Sequence, residues 1–218
     1  MTGLKLKAKK KSRPASLYSV HPGVKMVQNW IATLQEKTGH TLDEWIELIR
    51  TKGPKSQKER RVWLKDKFEL GTNTASWLAE NVEGADTWDG DPQTYLKAAA
   101  VYVENMYSGQ KAELRPLHDR LLKIARSLGK DVKICPCKTI VPLYRKRVFA
   151  EIKPATRTRI DFGLALRDTP FSDRLLDTGG REKKNRITHK IEITSLADID
   201  AEVRHWLRVA YELDSKSP

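Results

Sequence analysis

An acid, one spacer and a lysine follow one another inside RKRVFAEIKPATRTRIDFGLAL, residues 145–166: Glu151, Ile152 and Lys153. On a strand, that trio can support metal-assisted phosphodiester hydrolysis, in which carboxylates hold a divalent cation and a lysine helps orient the attacking water. Asp161 in the same stretch and Asp131 upstream are the further carboxylates that such a phosphodiesterase would draw on. The stretch is also crowded with cations, as a surface that grips phosphate would be: Arg145, Lys146, Arg147, Lys153, Arg157 and Arg159. Strand register decides between the two chemistries. With a hairpin turning at Pro154-Ala155-Thr156, alternation places Val148, Ala150 and Ile152 with Ile160, Phe162 and Leu164 on one face. Arg147, Phe149, Glu151 and Lys153 then share the other face with Arg157, Arg159 and Asp161. The tightest turn sets Lys153 opposite Arg157 and Glu151 opposite Arg159, which gives Glu151 a cross-strand cation and no catalytic part. A slip of two residues preserves both faces and sets Glu151 opposite Asp161, two carboxylates beside a lysine. The tighter turn is the expected one.

Two more basic clusters accompany the hairpin. An amino-terminal arm carries Lys5, Lys7, Lys9, Lys10, Lys11 and Arg13, and a glycine-containing loop carries Arg181, Lys183, Lys184 and Arg186. The net charge is +13, unevenly spread: residues 1–15 hold six Lys/Arg and no acid, while residues 92–218 hold twenty-five against sixteen. Ten bases nearly balance nine acids between 16 and 83, and residues 84–91 are acidic. Such asymmetry points to an anionic partner, nucleic acid first. The remaining chemistry-bearing types form no recognisable site. Cys135 and Cys137 in CPC enclose a loop too short for a good disulfide and lack a matching pair of zinc ligands, so two reduced thiols are expected. His189 falls on the inward side of RITHKIEI with Ile187, Ile191 and Ile193, where a hydrogen-bonded core histidine is expected, and His205 has no obvious partner acid. There is no nucleophile elbow and no phosphate-cradling glycine loop. No cofactor and no metal is implied.

The elements that must position these residues follow from periodicity. Four short helices are expected between 21 and 83: Val24, Val27, Trp30, Ile31 and Leu34 recur at helical spacing, Thr41 with Glu44 and Ser56 with Glu59 are capping boxes, and Thr74 opens a fourth helix. The third and fourth invite comparison with a helix-turn-helix, but the would-be recognition helix TASWLAENVE is acidic and would repel phosphate, so a protein-contact role suits this module better. Trp30, Trp45, Trp63 and Trp77 are expected in its core. Asp91 and Pro92 open a helix to about Tyr107, and another spans about 111–128. The period then changes to two, with strands near 131–135, 139–144, 147–153, 157–166 and 186–193, a polar loop over 167–185, and a last helix over 198–213. Helices, a run of strands and a closing helix describe an α+β protein: a basic arm at 1–15, a helical module at 16–83, an acidic linker at 84–91 and an antiparallel-sheet domain at 92–218. The arm has little to bury and is expected to be disordered.

Both halves resemble bacterial families known as domains of unknown function. The first resemblance rests on WIATLQEKTGHTLDEWIELI and ERRVWLKDKFELGTNTASWLA; the second rests on VFAEIKPATRTRIDFGLAL, THKIEITS and DIDAEVRHWLRVAY, a module sometimes labelled a predicted transport protein. The resemblance implies two modules meeting near 84–91 and an α+β second half, and it carries no catalytic residue. The expected function is a non-enzymatic, cytoplasmic binding protein that engages nucleic acid or a ribonucleoprotein through phosphates, with a possible protein partner on the helical module and no membrane. Alternatives are a metal-dependent phosphodiesterase using Glu151, Lys153 and Asp161, and a small-ligand or protein-docking adaptor.

Overall fold

In the computed structural model, residues 17–82 and 90–215 are described; the basic arm and most of the acidic linker lie outside them. Helices α1 (Pro22–Thr38), α2 (Leu42–Lys52), α3 (Gln57–Phe68) and α4 (Thr72–Asn81) come first. Local chemistry sets their ends. His21 caps α1 by accepting from Gly23 N at 2.9 Å, with Pro22 in the first turn, and Gly39 ends the helix at φ +78°. Thr41 and Glu44 form the full reciprocal box on α2. On α3, Ser56 Oγ accepts from Glu59 N and donates to the Glu59 carboxylate, so the glutamate binds the cap's hydroxyl rather than its backbone. Two boundaries differ from expectation: α3 stops at Phe68 because Glu69 turns left-handed, and α4 begins at Thr72 on a Gly71 cap rather than at Thr74.

Leu34, Trp45, Ile49, Leu64, Ala75 and Leu78 make the first core, where the Trp45 indole donates to Thr38 Oγ1 at 2.8 Å. Trp63 and Trp77 pack against it, and Trp30 meets Trp77 edge-on. Helix α1 also faces the second half: Val24 packs with Tyr95 and Ala99 of α5 (Pro92–Met106), and Gln28 Nε2 donates to Gly90 O at 2.6 Å.

After α5, a 3-10 turn (Gly109–Leu114) leads into α6 (Arg115–Arg126). Six strands follow: β1 (Lys133–Ile134), β2 (Val141–Tyr144), β3 (Val148–Pro154), β4 (Ile160–Leu164), β5 (Leu176–Asp177) and β6 (His189–Ile193). They form one antiparallel sheet in the order β1-β2-β3-β4-β6-β5, and α7 (Ala201–Ser215) closes the chain. The fold is α+β, a helical part followed by an antiparallel sheet with helices packed on it. The two-residue β5 lies inside what the sequence presents as polar loop.

Cross-strand rows define the two faces of the sheet. Ile152, Phe162 and Ile191 stand side by side, all fully buried, and pack with Leu121 and Ala125 of α6 and with Val203 and Leu207 of α7. Burying such a side chain is worth about 1.5–3 kcal/mol, so this row specifies which face turns inward. On the other face the neighbouring rows are Glu151, Gly163 and Lys190, then Lys153, Asp161 and Glu192.

A candidate anion-binding cleft on the open face of the sheet

The open face carries a cleft of about 590 Å³. Its floor is the Glu151–Gly163–Lys190 row. Gly163 keeps that floor low: a Cβ there would stand 2.7 Å from Glu151 Cγ and 2.7 Å from Ile187 Cγ2, so only glycine lets both side chains lean across the strand. Val148 and Ile187 supply apolar walls. The rim comes from the loop between β5 and β6, which contributes Thr178, Gly180, Lys183, Asn185 and Arg186. That loop is held by its own backbone: Thr178 Oγ1 donates to Ile187 O at 2.8 Å and accepts from Gly180 N, while Asn185 N donates to Gly180 O at 2.7 Å. A Cβ on Gly180 would meet Ile187 O at 2.2 Å, so glycine is required there too.

The hairpin register corrects both pairings expected from the sequence. Glu151 faces neither Arg159 nor Asp161 but Gly163, and Lys153 faces Asp161 rather than Arg157. The pairing runs from Pro154 opposite Ile160, so the turn spans residues 155–159 and is closed by Ala155 N and Thr156 N donating to Arg159 O. This longer turn replaces a Lys–Arg pair with a Lys–Asp pair and seats Glu151 over the one residue without a side chain. A second correction concerns Val148 and Phe149. Tyr144 pairs with Val148 and Leu143 with Ala150, which leaves Phe149 as the extra residue of a bulge. The kink turns Phe149 inward against Tyr211 and lets Val148 line the cleft, the reverse of strict alternation. Ile187 is likewise on the cleft side, because β6 starts only at His189.

The charges of this face fall into paired and unpaired sets. Asp161 accepts from Arg159 Nε at 2.9 Å on one oxygen and from Lys190 Nζ at 3.0 Å on the other. Glu192 joins Arg159 at 3.1 Å and Lys190 at 2.9 Å, completing a four-member lattice. Among the described residues the Glu151 carboxylate has no hydrogen-bond or ion-pair partner, and neither do the side-chain cations of Lys153, Lys183, Lys184 and Arg157. Burial holds the Glu151 carboxyl above the usual glutamate range, with the Lys153 ammonium pulling the other way.

The other basic residues singled out in the sequence are largely used by the fold. Arg145 pairs with Asp131 at 2.6 Å and lies over the Tyr211 ring, and Lys146 Nζ donates to Ser215 O. Arg147 is also engaged by its surroundings. Arg181 donates to Arg167 O and Thr169 O and stacks on Phe171. Arg186 donates to Val148 O at 2.7 Å and pairs with the buried Asp214 carboxylate, which also accepts from Lys146 N and Arg147 N. Asp131 is not part of the cleft; Arg145 and the Tyr211 hydroxyl hold it. Among the described residues no three of His, Cys, Asp and Glu come together as a metal site. The arm lysines and Arg13 lie outside the described residues.

Two further sequence readings have local outcomes. His189 is buried, with Nδ1 near Thr188 Oγ1 at 2.8 Å and Nε2 near Thr169 O at 2.9 Å, and burial lowers its pKa. Cys135 is buried and Cys137 half-buried, both free, and burial pushes the Cys135 thiol up to about 12. The floor and rim residues Gly163, Thr178, Gly180, Asn185 and Lys190 carried no motif. Lys190 alone was within reach, since it alternates with His189 and Ile191.

Comparison with known proteins agrees with this two-part build. The family model described as Domain of unknown function (DUF5655) matches residues 103–214, more than half of the chain, and the chain belongs to that family. A second model, Domain of unknown function (DUF4287), matches residues 26–84. No curated protein and no solved structure matches the chain. Among the described residues no helix is long and apolar enough to cross a membrane.

Proposed function

We propose that this member of the DUF5655 family is a non-enzymatic, cytoplasmic binding protein that holds a single-stranded nucleic acid, free or in a ribonucleoprotein, through its phosphates. The observation that carries the reading is the pair Lys153 and Lys183: two ammonium groups with no partner among the described residues, both lining an open cleft in a chain of net charge +13. Neither ammonium contributes an ion pair to the fold, so each is free to make a charge-assisted contact with a phosphate. Arg157 and Lys184, equally unpaired, lie on the adjoining turns and extend the same surface. Compared with the sequence expectation, the footprint is narrower: Arg145, Arg159, Arg181 and Arg186 use their guanidinium groups on the protein, which leaves Lys153, Lys183, Lys184 and Arg157 for the phosphate contacts.

The metal-dependent phosphodiesterase reading is not favoured, because both oxygens of Asp161 already hold a cation and Asp131 lies elsewhere. The test is fluorescence anisotropy of the full chain with a labelled single strand at a series of salt concentrations. Lys153→Gln with Lys183→Gln is expected to weaken binding about tenfold or more at low salt and to lower the salt slope by roughly 1.4 units, about 0.7 per lost contact. Unchanged affinity and slope would place any phosphate contacts elsewhere.

A further inference from the structure

Three carboxylates line the open-face cleft: Asp161 is held by Arg159 and Lys190, Asp177 accepts from Gly179 N, and Glu151 is left without a described partner. It leans over Gly163 between the apolar side chains of Val148 and Ile187, and no described residue hydrogen-bonds to it. A carboxylate placed near a phosphate-binding lysine opposes anion binding unless the ligand also brings donors. Lys153 and Glu151 therefore call for a ligand that is anionic at one end and rich in N–H donors at the other, with a flat apolar body between. A volume of about 590 Å³ exceeds what one nucleotide occupies and falls in the usual range for small-ligand sites.

Resting on the single-strand reading above, we infer that the cleft takes one unstacked nucleotide and that Glu151 reads its base, preferring guanine. The Watson–Crick edge of guanine offers N1–H and N2–H side by side, matching the two oxygens of a carboxylate. Uracil presents a single N–H flanked by carbonyl oxygens that repel a carboxylate, and adenine and cytosine each offer only an amino group beside a ring acceptor. The Val148 and Ile187 walls contact the base faces, Glu151 takes the donor edge, and Lys153 and Lys183 hold the flanking phosphates. Single-strand recognition commonly works this way, with a splayed base read on its edge and backbone charge supplying affinity.

The experiment uses the full chain and three labelled uridine-rich strands that differ at one central position: guanosine, inosine or uridine. Guanosine is expected to bind at least about fivefold tighter than uridine, the lower end for a bidentate base contact, with inosine, which lacks the 2-amino group, in between. Glu151→Gln is expected to abolish the guanosine preference while leaving the uridine strand bound at least as well, which separates a reading role from a folding defect. Equal affinity of the unmodified protein for all three strands would overturn base reading and leave phosphate binding standing. No binding of any strand at low salt would overturn both. Free guanosine 5′-monophosphate, the other source of the same base and phosphate, is expected to compete only weakly because it lacks neighbouring phosphates; competition as strong as that of the strand would overturn the strand as the ligand.

Discussion

Two single side chains pay for their positions in stability, and in opposite directions of pH. Glu151 has its carboxyl pKa raised by burial in the cleft, so folding favours its protonated form. Below the unfolded value of 4.5 that preference costs nothing; as pH rises through the higher folded value, the desolvated carboxylate destabilises the fold. Glu151→Gln is therefore expected to stabilise the protein at pH 7 and to be nearly neutral at pH 4, measured by chemical denaturation at both. A destabilised variant at pH 7 would mean that the carboxylate has a partner in the fold. His118 is the reverse case. It is fully buried against Tyr107, neither ring nitrogen has a hydrogen-bond partner among the described residues, and burial lowers its pKa from 6.5 to about 3. The depressed value makes its contribution fall as pH drops below 6.5, costing the wild type about 2 kcal/mol between pH 7 and pH 5. His118→Leu is expected to remove that loss, seen as a flatter dependence of melting temperature on pH across this range.

Elements differ in how much of their placement a linear reading can recover. The helices were legible because their signals are local: Thr41 with Glu44, Asp91 before Pro92 and the apolar spacing of α6 and α7 need no knowledge of the rest of the chain. Inward and outward residues of β4 and β6 were legible for the same reason. Register was not, because a slip of two residues leaves every face unchanged and only turn length, here 155–159, discriminates. The bulge at Phe149 was hidden as well, since an extra residue inverts alternation without any sequence mark. The cleft inherits both uncertainties: Glu151, Lys153 and Asp161 were visible as candidates, but the placement of Gly163 opposite Glu151 and of Asp161 opposite Lys153 was not. What ties these elements together is the Asp214 carboxylate at the end of α7, which binds the turn before β3 through Lys146 N and Arg147 N and the cleft rim through Arg186. Asp214→Asn replaces one accepting oxygen with a donor that faces donors and strands the guanidinium, so a loss of about 3 kcal/mol is expected in the denaturation midpoint at constant m-value. Loss of less than about 1 kcal/mol would show that the turn and rim hold without it.

At the scale of the molecule, the cations around the cleft divide into those the fold uses, which include Lys146 and Lys190, and those it leaves over, which include Arg157. Arginines at 145, 159, 174, 181 and 186 are bound to carboxylates or carbonyls of the fold, which suits a planar fork of several donors. Lysines 153, 183 and 184 have no such partner among the described residues, and the arm adds Lys5, Lys7, Lys9, Lys10 and Lys11 in the sequence. A compact ammonium on a flexible stem makes few geometric demands, so lysines suit a strand whose sequence varies while its phosphate spacing does not. This division predicts that arm and cleft are separable in one experiment. Replacing Lys9, Lys10 and Lys11 with glutamine removes up to three phosphate contacts, so the salt slope on a single strand is expected to fall by about two units. The same substitution is expected to weaken guanosine- and uridine-containing strands by an equal factor, because a point charge on phosphate reads no base. Glu151→Gln is expected to do the converse, removing the ratio between the two strands while leaving the slope in place. If the arm substitution changes the ratio or leaves the slope untouched, the arm is not the phosphate-binding segment, and the salt dependence of the whole chain must come from the cleft and its neighbours alone.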